Sequence, residues 1–113
     1  MLGISVTIKH LPKESFRDIS CIYDNDELKE EVLSYIKNNE LVRVADIELN
    51  NEVQNPLDEA FRLTNSIDYP WYLNENISVS ESAKDGCRST SKGDIIMING
   101  KTFIVASFGF IEL

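Results

Sequence analysis

The segment Gly86–Phe110, GCRSTSKGDIIMINGKTFIVASFGF, decides the fold because it contains the clearest hairpin signal in the chain. Two apolar runs flank Asn99-Gly100, and these two residues suit the positive φ angles of a type I′ turn. The turn sets the register of a strand over Ile95–Ile98 against one over Lys101–Phe108, in which two apolar pairs face each other: Ile96 with Phe103, and Ile95 with Ile104. Because both faces of this ribbon are apolar, we predict that it lies centrally or is covered on both sides.

The first half of the chain alternates strand and helix patterns. Residues 3–9 alternate apolar and polar side chains, which predicts a half-buried strand. Residues 24–39 place apolar side chains at helical spacing and predict an amphipathic helix. Residues 41–49 are apolar on both faces and predict a strand that is covered on both sides. Residues 13–23 permit a short additional strand.

A second helix has the clearest start in the sequence. Asn55 is a good N-cap and Pro56 suits the first helical position, so we predict a helix over residues 55–65. Residues 77–93 are polar and predict a loop before the hairpin. The 113 residues fit one domain. We therefore expect a single α+β domain over residues 1–113, with a mainly antiparallel sheet, two helices and a C-terminal β-hairpin.

The composition restricts the classes of partner and compartment. The net charge is −8, which argues against broad DNA binding, because such binding needs a basic surface. Two cysteines, Cys21 and Cys87, favour free thiols in a reducing cytoplasm over a disulfide. The sequence has no signal-peptide pattern and no apolar run of membrane-spanning length. We expect a cytoplasmic protein that needs no membrane, metal or cofactor.

Catalytic patterns are weak. The single histidine, His10, ends the first predicted strand, and nothing in the sequence indicates that it folds against either cysteine. The chain has no nucleophile elbow, no phosphate-binding glycine loop and no zinc-ligand spacing. We therefore expect a protein that is not an enzyme.

Acidic residues crowd the first predicted helix. The simpler interpretation is a solvated helix face whose N-terminal carboxylates complement the helix dipole. The functional interpretation is a surface that engages a basic partner. The candidate partner-binding residues are Asp26, Glu27, Glu30 and Glu31.

One locally basic segment, between Lys84 and Lys101, interrupts this acidic chain. Its cations and hydroxyl groups suit an anion or RNA, and three aromatic residues near Pro70 add a candidate stacking platform. The alternative is structural: Arg88 pairs with a carboxylate and the serines satisfy the backbone of the loop. The candidate nucleic-acid contacts are Arg88, Ser89, Ser91, Lys92, Lys101, Trp71 and Tyr72, with Tyr69 as a further stacking residue.

Three motifs carry a resemblance to known proteins: LDEAFRLTNSIDYPWYLN (57–74), GCRSTSKGD (86–94) and VASFGF (105–110). Together they resemble a group of small proteins encoded by bacteriophages and prophages, and their C-terminal part is similar to YodL-like domains of mobile elements. The resemblance covers residues 41–113 and supplies no catalytic residues. It implies that Gly93-Asp94 turns the chain into a strand, with Ser89 or Ser91 holding the turn and Arg88 buried against an acid such as Asp68.

The resemblance also implies an origin and a role. We expect an accessory protein of a phage or mobile element that acts in the bacterial cytoplasm by binding a host protein, with its acidic surface as the contact. The alternative is a small nucleic-acid- or nucleotide-binding domain that uses the region of Arg88, Lys92 and Lys101.

Overall fold

The computed structural model describes residues 3–65, 70–73, 77–83 and 86–113. They form one six-stranded sheet with the order β3-β2-β1-β4-β5-β6, in which every pairing is antiparallel. The expected α+β class and the mainly antiparallel sheet are confirmed. The elements in chain order are β1 (Gly3–His10), α1 (Phe16–Ser20), α2 (Asn25–Lys37), β2 (Val42–Asn50), α3 (Pro56–Leu63), β3 (Ile77–Val79), β4 (Ile95–Ile98), β5 (Lys101–Val105) and β6 (Phe110–Glu112).

The C-terminal hairpin forms as its turn residues require. Asn99 and Gly100 have φ angles of 48° and 88°, and β4 pairs with β5 in the predicted register. The second strand is shorter than predicted, because β5 ends at Val105 and a turn follows it. In that turn the backbone N–H of Ala106 donates to the carbonyl of Gly109, at 3.0 Å, and β6 then pairs back onto β5.

The sheet is covered on both faces at the hairpin, as predicted. One face carries Val6, Ile8 and Ile96 and packs against α3 and Trp71. The other face carries Ile95 and Ile104 and packs against α1 and α2. Burial of each large apolar side chain stabilises the folded state by about 1.5–3 kcal/mol. Because the hairpin contributes such side chains to both faces, it lies at the centre of the fold.

The helix starts follow from capping chemistry. The side chain of Asp24 accepts from the backbone N–H of Glu27, at 3.2 Å, and the side chain of Asn55 accepts from that of Asp58, at 3.3 Å. Both N-caps satisfy donors that a helix leaves unpaired in its first turn. Both predicted helices are therefore confirmed.

Three predictions about the remaining segments were wrong. Residues 13–23 hold a 3-10 turn at Lys13–Ser15 followed by α1, and not a strand. The strand β2 is covered on one side, because Ile8 pairs with Ala45 and Lys9 with Arg43, so a bulge turns Val44 toward the core as well. Residues 77–93, predicted to be a loop throughout, begin with the short edge strand β3.

Candidate functional site

The segment Gly86–Asp94, which we call the basic loop, folds around the carboxylate of Asp94. This side chain is 0% exposed. Its Oδ1 accepts from the backbone N–H of Leu11 at 2.9 Å and from Nη2 of Arg88 at 2.7 Å. Its Oδ2 accepts from Nη1 of Arg88 at 2.6 Å and from the backbone N–H of Ser91 at 2.7 Å. Four donors therefore compensate for the desolvation of one buried charge.

Arg88 is committed to the fold of the basic loop. Besides Asp94, its guanidinium donates to the carbonyls of Ser89 at 3.0 Å and Leu11 at 3.2 Å. Burial alone would lower the pKa of Arg88, but the hydrogen bonds and negative charge of Asp94 raise it above its ordinary value. The structure thus supplies Asp94 as the acid that the resemblance placed at Asp68, which lies outside the described residues.

Two other features hold the turn at the end of the basic loop. The hydroxyl of Ser91 donates to the carbonyl of Ser89 at 3.2 Å. Gly93 has a φ of +92°, and a Cβ at this position would lie 2.6 Å from side-chain atoms of both Ile19 and Leu11. Only glycine fits such a backbone at such close quarters. The side chain of Ser91 and the backbone of Gly93 therefore hold this turn.

The structure brings His10 against Cys87, a proximity that the sequence did not indicate. His10 is 4% exposed at the end of β1. Its Nδ1 lies 3.4 Å from Sγ of Cys87, and its Nε2 lies 2.9 Å from Oγ1 of Thr90 and 3.8 Å from Oδ2 of Asp94. The ring meets Trp71 edge-on, with centroids 6.3 Å apart. A histidine, a thiol, a hydroxyl and a carboxylate thus share one buried cluster.

The electrostatics of this cluster favour neutral forms of the thiol and the imidazole. The pKa of His10 is lowered to about 4, mainly by burial; the negative charge of Asp94 opposes this shift, and the positive charge of Arg88 adds to it. Burial also raises the pKa of the Cys87 thiol. A nucleophilic cysteine reacts as the thiolate, which an adjacent cation or base normally generates. At neutral pH this pair holds an imidazole and a thiol, so its geometry suits packing and hydrogen bonding better than nucleophilic attack.

A cleft of about 410 Å³ opens beside this pair. Its walls come from β1, β2 and the basic loop, and they include His10, Pro12, Val42, Cys87 and Arg88. Both cysteines are free thiols; Cys21 is exposed and Cys87 is half-buried. The cleft therefore reaches His10 and Cys87, whereas Asp94 is not part of its lining.

The proposed stacking platform was wrong for Trp71. This indole is 1% exposed, and its Nε1 donates to the carbonyl of Arg88 at 2.8 Å. Tyr72 is half-buried and meets Trp71 edge-on, with centroids 6.0 Å apart. No face of Trp71 is available to a base, and Tyr69 lies outside the described residues. The aromatic pair belongs to the core beneath the basic loop.

The predicted cations do not form one open patch. Lys92 donates to the carbonyl of Ser20 and to the hydroxyl of Ser107, each at 3.2 Å, and lies 4.7 Å from the centroid of the Tyr23 ring. Lys101 is exposed beside the hairpin turn and forms no ion pair with any residue that the structure describes. Lys84 lies outside the described residues. Arg88 and Lys92 are thus engaged within the protein.

The four predicted acidic contacts lie together on α2, on what we call the acidic face: Asp26, Glu27, Glu30 and Glu31. All four are exposed, whereas Leu28 and Val32 on the same helix are buried. None forms an ion pair within the described part of the chain. Glu59, by contrast, bonds to Arg62, which lowers its pKa. The carboxylates of the acidic face are therefore free to meet an external cation.

Comparison of the chain with models of known protein families, with curated proteins and with solved structures gives no match. Within the described ranges, no three histidine, cysteine, aspartate or glutamate side chains are grouped as metal ligands. In the same part of the chain, every helix is too short or too polar to span a membrane. The function must therefore be argued from the surfaces of this chain alone.

Proposed function

We propose that this chain is an accessory protein of a phage or mobile element, and that it binds a basic surface of a bacterial host protein in the cytoplasm through the acidic face of α2. It acts without catalysis and uses no cofactor. The observation that carries the proposal is the set of four exposed carboxylates on one helix, none of which forms an ion pair with a described residue. Because a stable helix displays them in fixed positions, they suit a complementary pattern of lysine and arginine side chains.

Two further observations support binding over the rival functions. Arg88 and Trp71, the strongest candidates for nucleic-acid contacts, are used by the core and the basic loop. With its pKa lowered to about 4, the imidazole of His10 is a weak base, and burial raises the pKa of the Cys87 thiol that it would have to deprotonate. The overall charge of −8 also favours a basic partner over the phosphate backbone of a nucleic acid.

The proposal is tested by charge reversal with a matched control. The test variant carries Glu27→Lys, Glu30→Lys and Glu31→Lys. The control variant carries Glu48→Lys, Glu52→Lys and Glu112→Lys, which are exposed positions outside α2. Each variant changes the net charge from −8 to −2, so the two differ only in where the charge is reversed.

Each protein is immobilised and incubated with bacterial lysate, with and without nuclease, and the affinity of each stoichiometric protein that elutes after nuclease treatment is then measured. We expect the test variant to bind the captured protein more than about tenfold less tightly than the control variant does. Equal affinity of the two variants would reject the acidic face as the contact. Recovery of nucleic acid that nuclease removes, with no protein retained, would reject the proposed partner class.

A further inference from the structure

We propose that the groove between α2 and the C-terminal hairpin is a binding site for a small amphiphilic carboxylate with an unbranched apolar chain. The groove lies on the opposite face of the sheet from Trp71, and its volume is about 380 Å³. This is within the range of pockets that hold small ligands. The inference is independent of the partner protein proposed above.

The apolar walls of the groove arise because α2 covers the hairpin only in part. Leu28 and Val32, near the start and middle of the helix, are buried against the sheet. Leu33 and Ile36, nearer its end, remain 41% and 37% exposed and form one wall. Exposed aliphatic side chains that line one concave surface are a feature of ligand-binding grooves.

The floor of the groove is a strand face of fixed length. Ile95 and Met97 point to this face of β4, and Thr102 lies opposite Met97 on β5. The floor runs from Lys9, which pairs with Ile95, to the hairpin turn at Gly100. Along β4, from Ile95 to Ile98, this floor is roughly 10 Å long at the usual rise of a strand, which is close to the length of an extended octanoate chain.

The charged side chains that line the groove are basic, although the protein as a whole is acidic. Acidic residues outnumber basic ones by 19 to 11 in the chain, yet the groove is lined by Lys9 and Lys101 and by no aspartate or glutamate. Lys9 is half-buried on the face of β1 that borders the groove, and it forms no ion pair with a described residue. An apolar groove that is lined by a half-buried lysine is complementary to an apolar chain that ends in a carboxylate.

The test is a methyl NMR titration of the full chain with sodium octanoate, and with 1-octanol as the uncharged probe. We expect both probes to shift the methyl signals of Leu33, Ile36 and Met97. Lys9→Met should weaken octanoate binding about tenfold, as removal of a charge-assisted hydrogen bond does, and leave octanol binding unchanged. Lys13→Met, an exposed lysine outside the groove, should leave both unchanged.

Three results would overturn the proposal. The first is the absence of methyl shifts in the groove with octanoate. The second is octanoate binding that Lys9→Met does not weaken, which would leave the carboxylate unrecognised. The third is a shift of the same methyl signals with protein concentration alone, since this would make a second copy of the chain the occupant.

Discussion

Arg88→Met should destabilise the protein by about 3–5 kcal/mol, the usual cost of removing one partner of a buried ion pair. Asp94 is 0% exposed and accepts two hydrogen bonds from Arg88. In the variant its carboxylate keeps only the backbone donors of Leu11 and Ser91. Since domains of this size are typically stable by about 5–15 kcal/mol, the loss is a large share of the total.

The control is Arg43→Met, which breaks an exposed pair with Asp46 and should cost less than about 1 kcal/mol. Urea unfolding followed by far-UV circular dichroism gives both free energies of unfolding. The double variant Arg88→Met, Asp94→Asn should lose less than the sum of its single changes, because no unpaired charge then remains buried. If Arg88→Met costs no more than Arg43→Met does, Arg88 is a surface cation and the structural account of the basic loop is refuted.

Three further predictions concern the same region. Gly93→Ala should destabilise the protein by more than about 1 kcal/mol, because its φ of +92° and two close side chains exclude a Cβ; stability within about 0.5 kcal/mol of wild type in urea would contradict this. Because the pKa of His10 is lowered to about 4 in the folded protein, His10 takes up a proton between about pH 6.5 and pH 4 in the unfolded chain but not in the folded one. As the pH is lowered from 6.5 to 4, the free energy of unfolding should therefore decrease by on the order of 3 kcal/mol more in wild type than in His10→Gln. Parallel pH profiles of the two proteins would disprove the lowered pKa. With a thiol-reactive disulfide reagent at neutral pH, Cys21 should react faster than Cys87, which is half-buried with a raised pKa, and the reverse order by mass spectrometry would contradict the assignment.

The parts of the fold that the sequence predicted are those with local causes. The Asn99-Gly100 turn and the Asn55-Pro56 helix start depend on residues that are neighbours in the chain. Both can therefore be predicted without knowledge of the tertiary structure. The bulge in β2 is different, because it depends on how Val44 packs against strands elsewhere in the sheet. Residues 13–23 form a helical turn and not a strand for the same reason, since Ile19 packs in the core beneath α2.

In the candidate site, too, contacts between residues close in the chain were predictable and contacts between distant residues were not. Arg88 and Asp94 are six positions apart, so a structural role for the basic loop could be predicted from the sequence. His10 and Cys87 are 77 positions apart, and only the central placement of β1 brings them together. The burial of Trp71 could not be predicted either, because an aromatic residue beside a proline has the same sequence pattern in a core as on a binding surface.

Carboxyl footprinting of the complex with the captured host protein tests the proposed function most directly. Exposed carboxylates are labelled with a carbodiimide and an amine in the free protein and in the complex, and mass spectrometry measures the extent of labelling at each site. The account predicts that labelling of Glu27, Glu30 and Glu31 falls in the complex, while that of Glu48 and Glu52 does not change. Unchanged labelling along α2, with protection of Lys101 from acetylation in a parallel experiment, would contradict it and move the contact to the hairpin.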